Sequence, residues 1–170
     1  GCPKQLYRAK EYPDIRRSPV PLWGLVDTRR YASFNIQYSR GCPFNFEFCN
    51  ITALFGRTPR TKTPQQVVAE LDAIYQAGWG GNIFFVDDNF IGNKKKLKAE
   101  ILPAIIEWKN EKRFPFALCT EASINLADDD ELIDLLVKAG FDTLFIGIET
   151  PYEASLNECG KKQNLKKNLV

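Results

Sequence analysis

From about residue 34 onward, short apolar runs alternate with amphipathic stretches of helical period, and this alternation restricts the fold more than any other feature of the chain. Phe34–Tyr38 is the first apolar run, and a long loop follows it through Arg60. Thr63 can cap a helix, with Pro64 at its first position and Gln66 placed to complete a capping box. Val67, Val68, Leu71, Ile74 and Tyr75 then keep helical spacing until Gly78 ends the element. Ile83–Val86 is a continuous apolar run, as expected of a strand covered on both faces. Leu97, Ile101, Ile105 and Trp108 mark a second helix, kinked or restarted at Pro103. Phe116–Cys119 forms a third run. Asp128 with Glu131 resembles another capping box ahead of Leu132, Leu135 and Leu136, and Gly140 closes that helix before the fourth run, Thr143–Ile148.

The order β-α-β-α-β-α-β predicts an α/β fold with a parallel sheet and right-handed crossovers. Four strands cannot close an eight-stranded barrel, so the expectation is an open, truncated partial (β/α) barrel over residues 34–170. Residues 1–33 carry Pro3, Pro13, Pro19 and Pro21 among mixed charges without sustained periodicity, which reads as a linker or a segment wrapping another body. The last twenty residues show helical character around Tyr152–Leu156, a break at Gly160 and then a basic run.

Composition excludes several chemistries. No histidine occurs anywhere, so Ser-His-Asp and Cys-His catalysis are ruled out and the commonest zinc ligand is missing. A formal net charge of +2 is too small to argue for a nucleic-acid partner or a membrane surface. No apolar run approaches a transmembrane segment and no signal-peptide pattern opens the chain, which makes a cytoplasmic protein the default expectation. The absence of methionine, even at residue 1, suggests a processed or cut piece of something longer, or a missing start. Cys2, Cys42, Cys49, Cys119 and Cys159 are too scattered for a disulfide framework. Cys119 ends an apolar strand and reads as core, while Cys2 and Cys159 read as surface or packing residues. The Lys94-Lys95-Lys96 run reads most simply as a solvated first helical turn.

Chemistry in such sheets collects at the carboxyl ends of the strands. There the sequence places Cys42 and Cys49 after the first strand, and Asp87, Asp88 and Asn89 after the second. Thr120, Glu121 and Ser123 follow the third strand, and Glu149 and Thr150 the fourth. Carboxylates directly after apolar strands need partners. For Glu121 and Glu149 these are either a structural cation such as Arg57 or Arg60, or groups of a ligand. Asp87 and Asp88 either cap the loop and the following helix or contact a ligand.

The loop Arg40-Gly41-Cys42-Pro43-Phe44-Asn45-Phe46-Glu47-Phe48-Cys49-Asn50 resembles the C-x3-C-x2-C signature of the radical S-adenosylmethionine (SAM) superfamily, with Phe46 where the middle cysteine stands in the family. Val86-Asp87-Asp88-Asn89-Phe90, Thr120-Glu121-Ala122-Ser123-Ile124-Asn125-Leu126 and Gly147-Ile148-Glu149-Thr150-Pro151 are similar to its later SAM-contacting segments. Together they look most like the branch with an N-terminal cobalamin-binding domain, which includes the hopanoid methylases. The resemblance implies a 4Fe–4S cluster, held here by Cys42 and Cys49, whose open iron chelates SAM and cleaves it to a 5′-deoxyadenosyl radical. It implies SAM contacts from Phe48, Asp87, Asp88, Glu121, Ser123 and Glu149, although Phe48 could equally serve the core. It further implies cobalamin on a domain before residue 1, an electron donor such as a flavodoxin or ferredoxin, and a small-molecule substrate methylated at carbon. Phenylalanine cannot ligate iron, and two thiolates cannot fill three ligand positions. The other reading is therefore a non-catalytic remnant that keeps the fold and binds a nucleotide or a partner.

Overall fold

Four short strands, β1 (Ser33–Ile36), β4 (Asn82–Phe85), β5 (Leu118–Ala122) and β6 (Phe141–Ile146), lie side by side in that order, every neighbouring pair parallel. The structure is a computed structural model and describes residues 3–7, 11–113 and 115–165. Its strands are β1 (Ser33–Ile36), β2 (Ser39–Arg40), β3 (Arg60–Thr61), β4 (Asn82–Phe85), β5 (Leu118–Ala122) and β6 (Phe141–Ile146). Its α-helices are α1 (Ile51–Phe55), α2 (Pro64–Gln76), α3 (Lys94–Lys96), α4 (Leu102–Glu111), α5 (Asp130–Ala139) and α6 (Glu153–Glu158). The predicted alternation is thus present, and the sheet is open, with β1 and β6 at its edges. The loop expected after the first strand holds more structure than its composition suggests: α1 and a two-residue antiparallel pairing of β2 with β3.

Burial alternates along the strands. Phe34, Ile36, Ile83, Phe85, Leu118, Thr120 and Ala122 point into the core, which α2, α4 and α5 cover. Asn35, Phe84, Cys119, Glu121 and Phe145 lie on the other face and are partly or fully exposed. The expectation of strands covered on both faces is therefore corrected for β4, because helices pack on one side only. That uncovered face is what a closing barrel would turn inward.

Local chemistry sets the helix ends. Thr63 Oγ1 accepts from the Gln66 N–H at 3.3 Å while the Gln66 side chain accepts from the Thr63 N–H at 3.1 Å, so the expected capping box forms. The cap of α5 is Asp129, not Asp128, because a 3₁₀ turn at Ile124–Asp128 precedes the helix. As expected, the helix restarts at Pro103, which stands at the second position of α4. A π-helical turn, Leu97–Ile101, links α3 to α4 just before it and relieves the crowding between a proline ring and the carbonyl four residues back. Lys95 is exposed as expected, whereas Lys94 and Lys96 are half-buried and bond the Asn125 carbonyl and the Thr61 hydroxyl, both at 2.8 Å. The proline-rich opening rests on this same body. Trp23 stacks on Phe34, which stacks on Trp79 at 4.6 Å between centroids, and Gln66 holds the Arg16 carbonyl. Among the described residues no helix is long and apolar enough to cross a membrane.

Asp87 decides where the chain goes after β1. The Val86 N–H reaches the Ile36 carbonyl at 2.9 Å, the last bond of the strand ladder. One residue on, Asp87, at 1% exposure, accepts the Tyr38 N–H at 3.0 Å, the Ser39 N–H, and the Ser39 hydroxyl at 2.6 Å. Burial outweighs these donors and pushes its pKa up to about 6. Just beyond, Gly41 adopts a φ of +100°, and a Cβ there would lie 2.9 Å from the Thr58 carbonyl oxygen. The Cys42 N–H can then reach the Gly56 carbonyl at 3.2 Å, which closes the base of the cysteine loop.

Two outcomes follow. A carboxyl whose pKa is higher folded than unfolded holds its proton in the native state, so its stabilisation is complete below the unfolded value of 3.8 and is lost as pH rises through about 6. Urea titrations should show the stability advantage of the wild type over Asp87→Asn shrinking by about 3 kcal/mol between pH 4 and pH 7; a constant difference would contradict this account. Gly41→Ala should cost about 2 kcal/mol or more, from its positive φ and the carbonyl clash together, measurable as a lowered urea midpoint at unchanged slope.

Candidate cofactor pocket

The carboxyl ends of the sheet frame a cavity of about 190 Å³. Cys42, Phe48 and Cys49 line it from the cysteine loop, and Asp88, Glu121, Ser123 and Glu149 line it from the strand ends. Seven of the eight residues singled out in the sequence therefore meet at one place. The eighth, Asp87, sits behind the wall and supports the loop instead.

Strand pleating aims these side chains. Asp88 is one residue out of phase with the buried Phe85 and Asp87, so it turns toward the cavity. Its Oδ2 is buried without a hydrogen-bond partner. Asn89, 4% exposed, accepts the Ser123 N–H at Oδ1 (3.3 Å) and leaves Nδ2 without an oxygen or nitrogen partner. The Ser123 hydroxyl is oriented by Asn125 Oδ1 at 2.6 Å. Glu149 lies in the left-handed region at φ +66°, in a three-residue turn closed by the Thr150 N–H on the Ile148 carbonyl. Such backbone is sterically costly for a residue with a side chain and concentrates at functional sites.

Burial pushes both the Asp88 and the Glu121 carboxyl up, and the Asp88 charge adds to the effect at Glu121. The expected arginine partners go elsewhere: Arg60 reaches the Pro13 and Phe55 carbonyls, and Arg57 the Pro43 carbonyl. Glu149 pairs instead with Lys161 Nζ at 2.5 Å. Sequence reasoning missed Lys161 because nothing local separates it from the neighbouring lysines. Asn89 stood in the strand-end group without being singled out.

Phe44, Phe46 and Phe48 stack in a ladder with centroids 5.8 and 5.7 Å apart. Phe46 brings a ring to the position between the two cysteines where a third thiolate would serve a cluster. Burial also pushes the Cys42 thiol up, against the thiolate a metal requires. Among the described residues, no three Cys, His, Asp or Glu side chains are arranged to hold a metal ion. The residues present therefore do not fit a three-thiolate 4Fe–4S site. Cys119, on the open sheet face, donates to the Ile83 carbonyl at 3.6 Å and does not line the cavity. Cys159 borders a neighbouring cavity, and Cys2 lies outside the described residues, as does the end of the basic run from residue 166.

The sequence matches the Radical SAM superfamily over residues 36–169. It is 49% identical over 165 residues to an uncharacterised methyltransferase of Synechocystis, covering 97% of this chain and 31% of that protein. It is 40% identical over 160 residues to the hopanoid C-2 methylase of Rhodopseudomonas palustris, covering 94% and 30%. The chain thus spans about a third of the length of these relatives. Among solved structures, the cobalamin-dependent SAM radical enzyme OxsB with aqua-cobalamin and SAM bound superposes with a TM-score of 0.74 at 23% identity, over 91% of this chain and 24% of that one. The radical SAM methyltransferase TsrM from Kitasatospora setae gives 0.67 at 20% identity, over 75% and 24%. The four-stranded α/β sheet is accordingly part of a known enzyme core, and the chain belongs to the radical SAM superfamily.

Proposed function

We propose that this chain is the SAM-binding part of the core of a methyltransferase of the cobalamin-dependent radical kind, acting on a carbon centre of a small-molecule substrate. One observation carries the reading: Asp88, Glu121 and Glu149 converge on one cavity, beside aromatic faces, with Lys161 as the one cation among the described residues of its lining. Such a pocket suits a ligand with an adenine ring, hydroxyl groups and positive charge. Asp88 Oδ2 and Glu121 would take the ammonium and ribose hydroxyls, with Ser123 and Asn89 offering further polar contacts. Phe48, 56% exposed, offers a ring face for adenine.

In the family, the cluster supplies the electron that cleaves SAM, from a donor such as a flavodoxin or ferredoxin, and cobalamin carries the methyl group. Cobalamin would come from a domain outside these residues. No third thiolate serves the cluster here, so the reading for this chain ends at SAM binding, and the family's radical step is not assigned to it.

Calorimetry on the cluster-free protein tests the binding claim. SAM should bind, and Asp88→Asn and Glu121→Gln should each weaken it about tenfold, the value of one hydrogen bond to a charged group. A chain that binds neither SAM nor S-adenosylhomocysteine overturns the reading. Anaerobic treatment with iron and sulfide should leave the wild type without absorbance that dithionite bleaches, whereas Phe46→Cys should take up about four irons per chain. Equal iron in both proteins would refute the role given to Phe46.

A further inference from the structure

The base of the cysteine loop is held from outside the pocket. The Cys42 N–H bonds the Gly56 carbonyl at 3.2 Å, and Gly56, with a φ of +80°, ends α1. A Cβ on Gly56 would lie 3.1 Å from the Tyr12 ring, so the N-terminal segment packs directly on the residue that receives the cysteine. The Arg60 guanidinium lies 4.7 Å from the centre of the same ring. Its Nη1 donates to the Pro13 carbonyl at 2.7 Å and its Nη2 to the Phe55 carbonyl at 3.1 Å. One side chain thus joins Tyr12 and Pro13 to the last turn of α1.

This geometry suits arginine. A planar fork presents donors in two directions while its face stays against a ring, which an ammonium cannot reproduce. The backbone fixes where the fork points. Arg60 pairs with Arg40 across β2 and β3, and Arg40 stands just before Gly41. A Cβ on Gly41 would meet the Gly56 and Phe55 carbonyl oxygens at 3.0 and 3.2 Å, so the cysteine loop and the end of α1 lie against each other without slack. The segment on the other side of the fork is anchored as well: Ile15 is buried, and the Gln66 side chain donates to the Arg16 carbonyl at 2.7 Å. Tyr12, Pro13 and Arg60 themselves do not line the pocket.

We propose that Arg60 is a positioning residue for the cysteine loop, through which the N-terminal segment at Tyr12 and Pro13 sets the place of Cys42 in the pocket. Loosening that segment loosens the cysteine side of the pocket while the sheet behind it stays intact. Asp87 fixes the direction in which the chain leaves β1, and Arg60 fixes the carbonyl that Cys42 meets after the turn, so the two hold the loop from opposite sides. The coupling belongs to the loop itself and is read without any ligand.

Amide hydrogen exchange, followed residue by residue by NMR on the whole chain, tests it. Arg60→Met should speed exchange of the Cys42 N–H about tenfold, while the Ile83 and Leu118 N–H groups, bonded to the Ala117 and Gly140 carbonyls within the sheet, change by less than about twofold. Tyr12→Ala should speed Cys42 about threefold, whereas Tyr12→Phe, which keeps the ring against the guanidinium, should match the wild type. Both substitutions act through one contact, so adding Tyr12→Ala to Arg60→Met should change nothing further. Unchanged Cys42 exchange in Arg60→Met overturns the proposal, because the loop is then held by other contacts. An equal increase at Cys42, Ile83 and Leu118 overturns it too, since that is a general loss of stability. A further effect of Tyr12→Ala in the double variant refutes the route through Arg60. If Arg60→Met does not fold, Tyr12→Ala against Tyr12→Phe decides alone, at a side chain exposed enough to be replaced safely (51%): equal Cys42 exchange in those two proteins refutes the coupling.

Discussion

The carboxylate of Asp87 joins the sheet to the site. β1 and β4 run parallel, and their ladder ends with the Val86 N–H on the Ile36 carbonyl. Beyond it, the Asp87 side chain extends the pairing by accepting two further N–H groups of the other chain segment, at Tyr38 and Ser39. That contact turns the chain out of β1 in a set direction, so that Arg40 can pair with Arg60 and Cys42 can face the cavity. Burying a carboxylate opposes its charge, and three donors compensate only in part, which is why its pKa rises to about 6. The loop that carries the cysteines thus depends on a group that never touches the cavity.

Legibility in the sequence tracks the range of each interaction. Thr63, Pro64 and Gln66 act within one turn, so the start of α2 could be read directly. The four strands and the cluster of groups at their carboxyl ends follow from periodicity and the rule for parallel sheets. The separate roles of Asp87 and Asp88 depend on phase. Ile83, Phe85 and Asp87 share the buried side of the pleat, and Phe84, Val86 and Asp88 the other. Two-residue alternation carried past the end of β4 would have distinguished them. The uniformly apolar Ile83–Val86 run concealed that phase, since it suggested cover on both faces. Lys161 lies twelve residues past Glu149, and its placement depends on the reversal at Gly160 and on Asn164, neither of which announces a destination.

Phe46 separates ancestry from chemistry. The segments at the ends of β4, β5 and β6 converge on one cavity. The loop between Cys42 and Cys49 has become an aromatic surface of three stacked rings. The Cys49 N–H on the Phe46 carbonyl at 3.1 Å closes this turn through backbone atoms, which any side chain at 46 would leave in place.

The same burial explains both halves of this change. Low solvation pushes the Cys42 thiol up and so opposes the thiolate that a metal needs. It also pushes the Asp88 and Glu121 carboxyls up, so their ionised forms need hydrogen-bond donors that a ligand's polar groups can bring. A metal would have to draw three ligands from a loop that supplies two. Glu149, Phe46 and Phe48 surround the Lys161 ammonium with a carboxylate and two ring faces, so this side of the pocket is matched from within the chain. The loop thus offers a cluster fewer ligands than it needs, while the strand ends keep the carboxylates that polar groups of a ligand can meet.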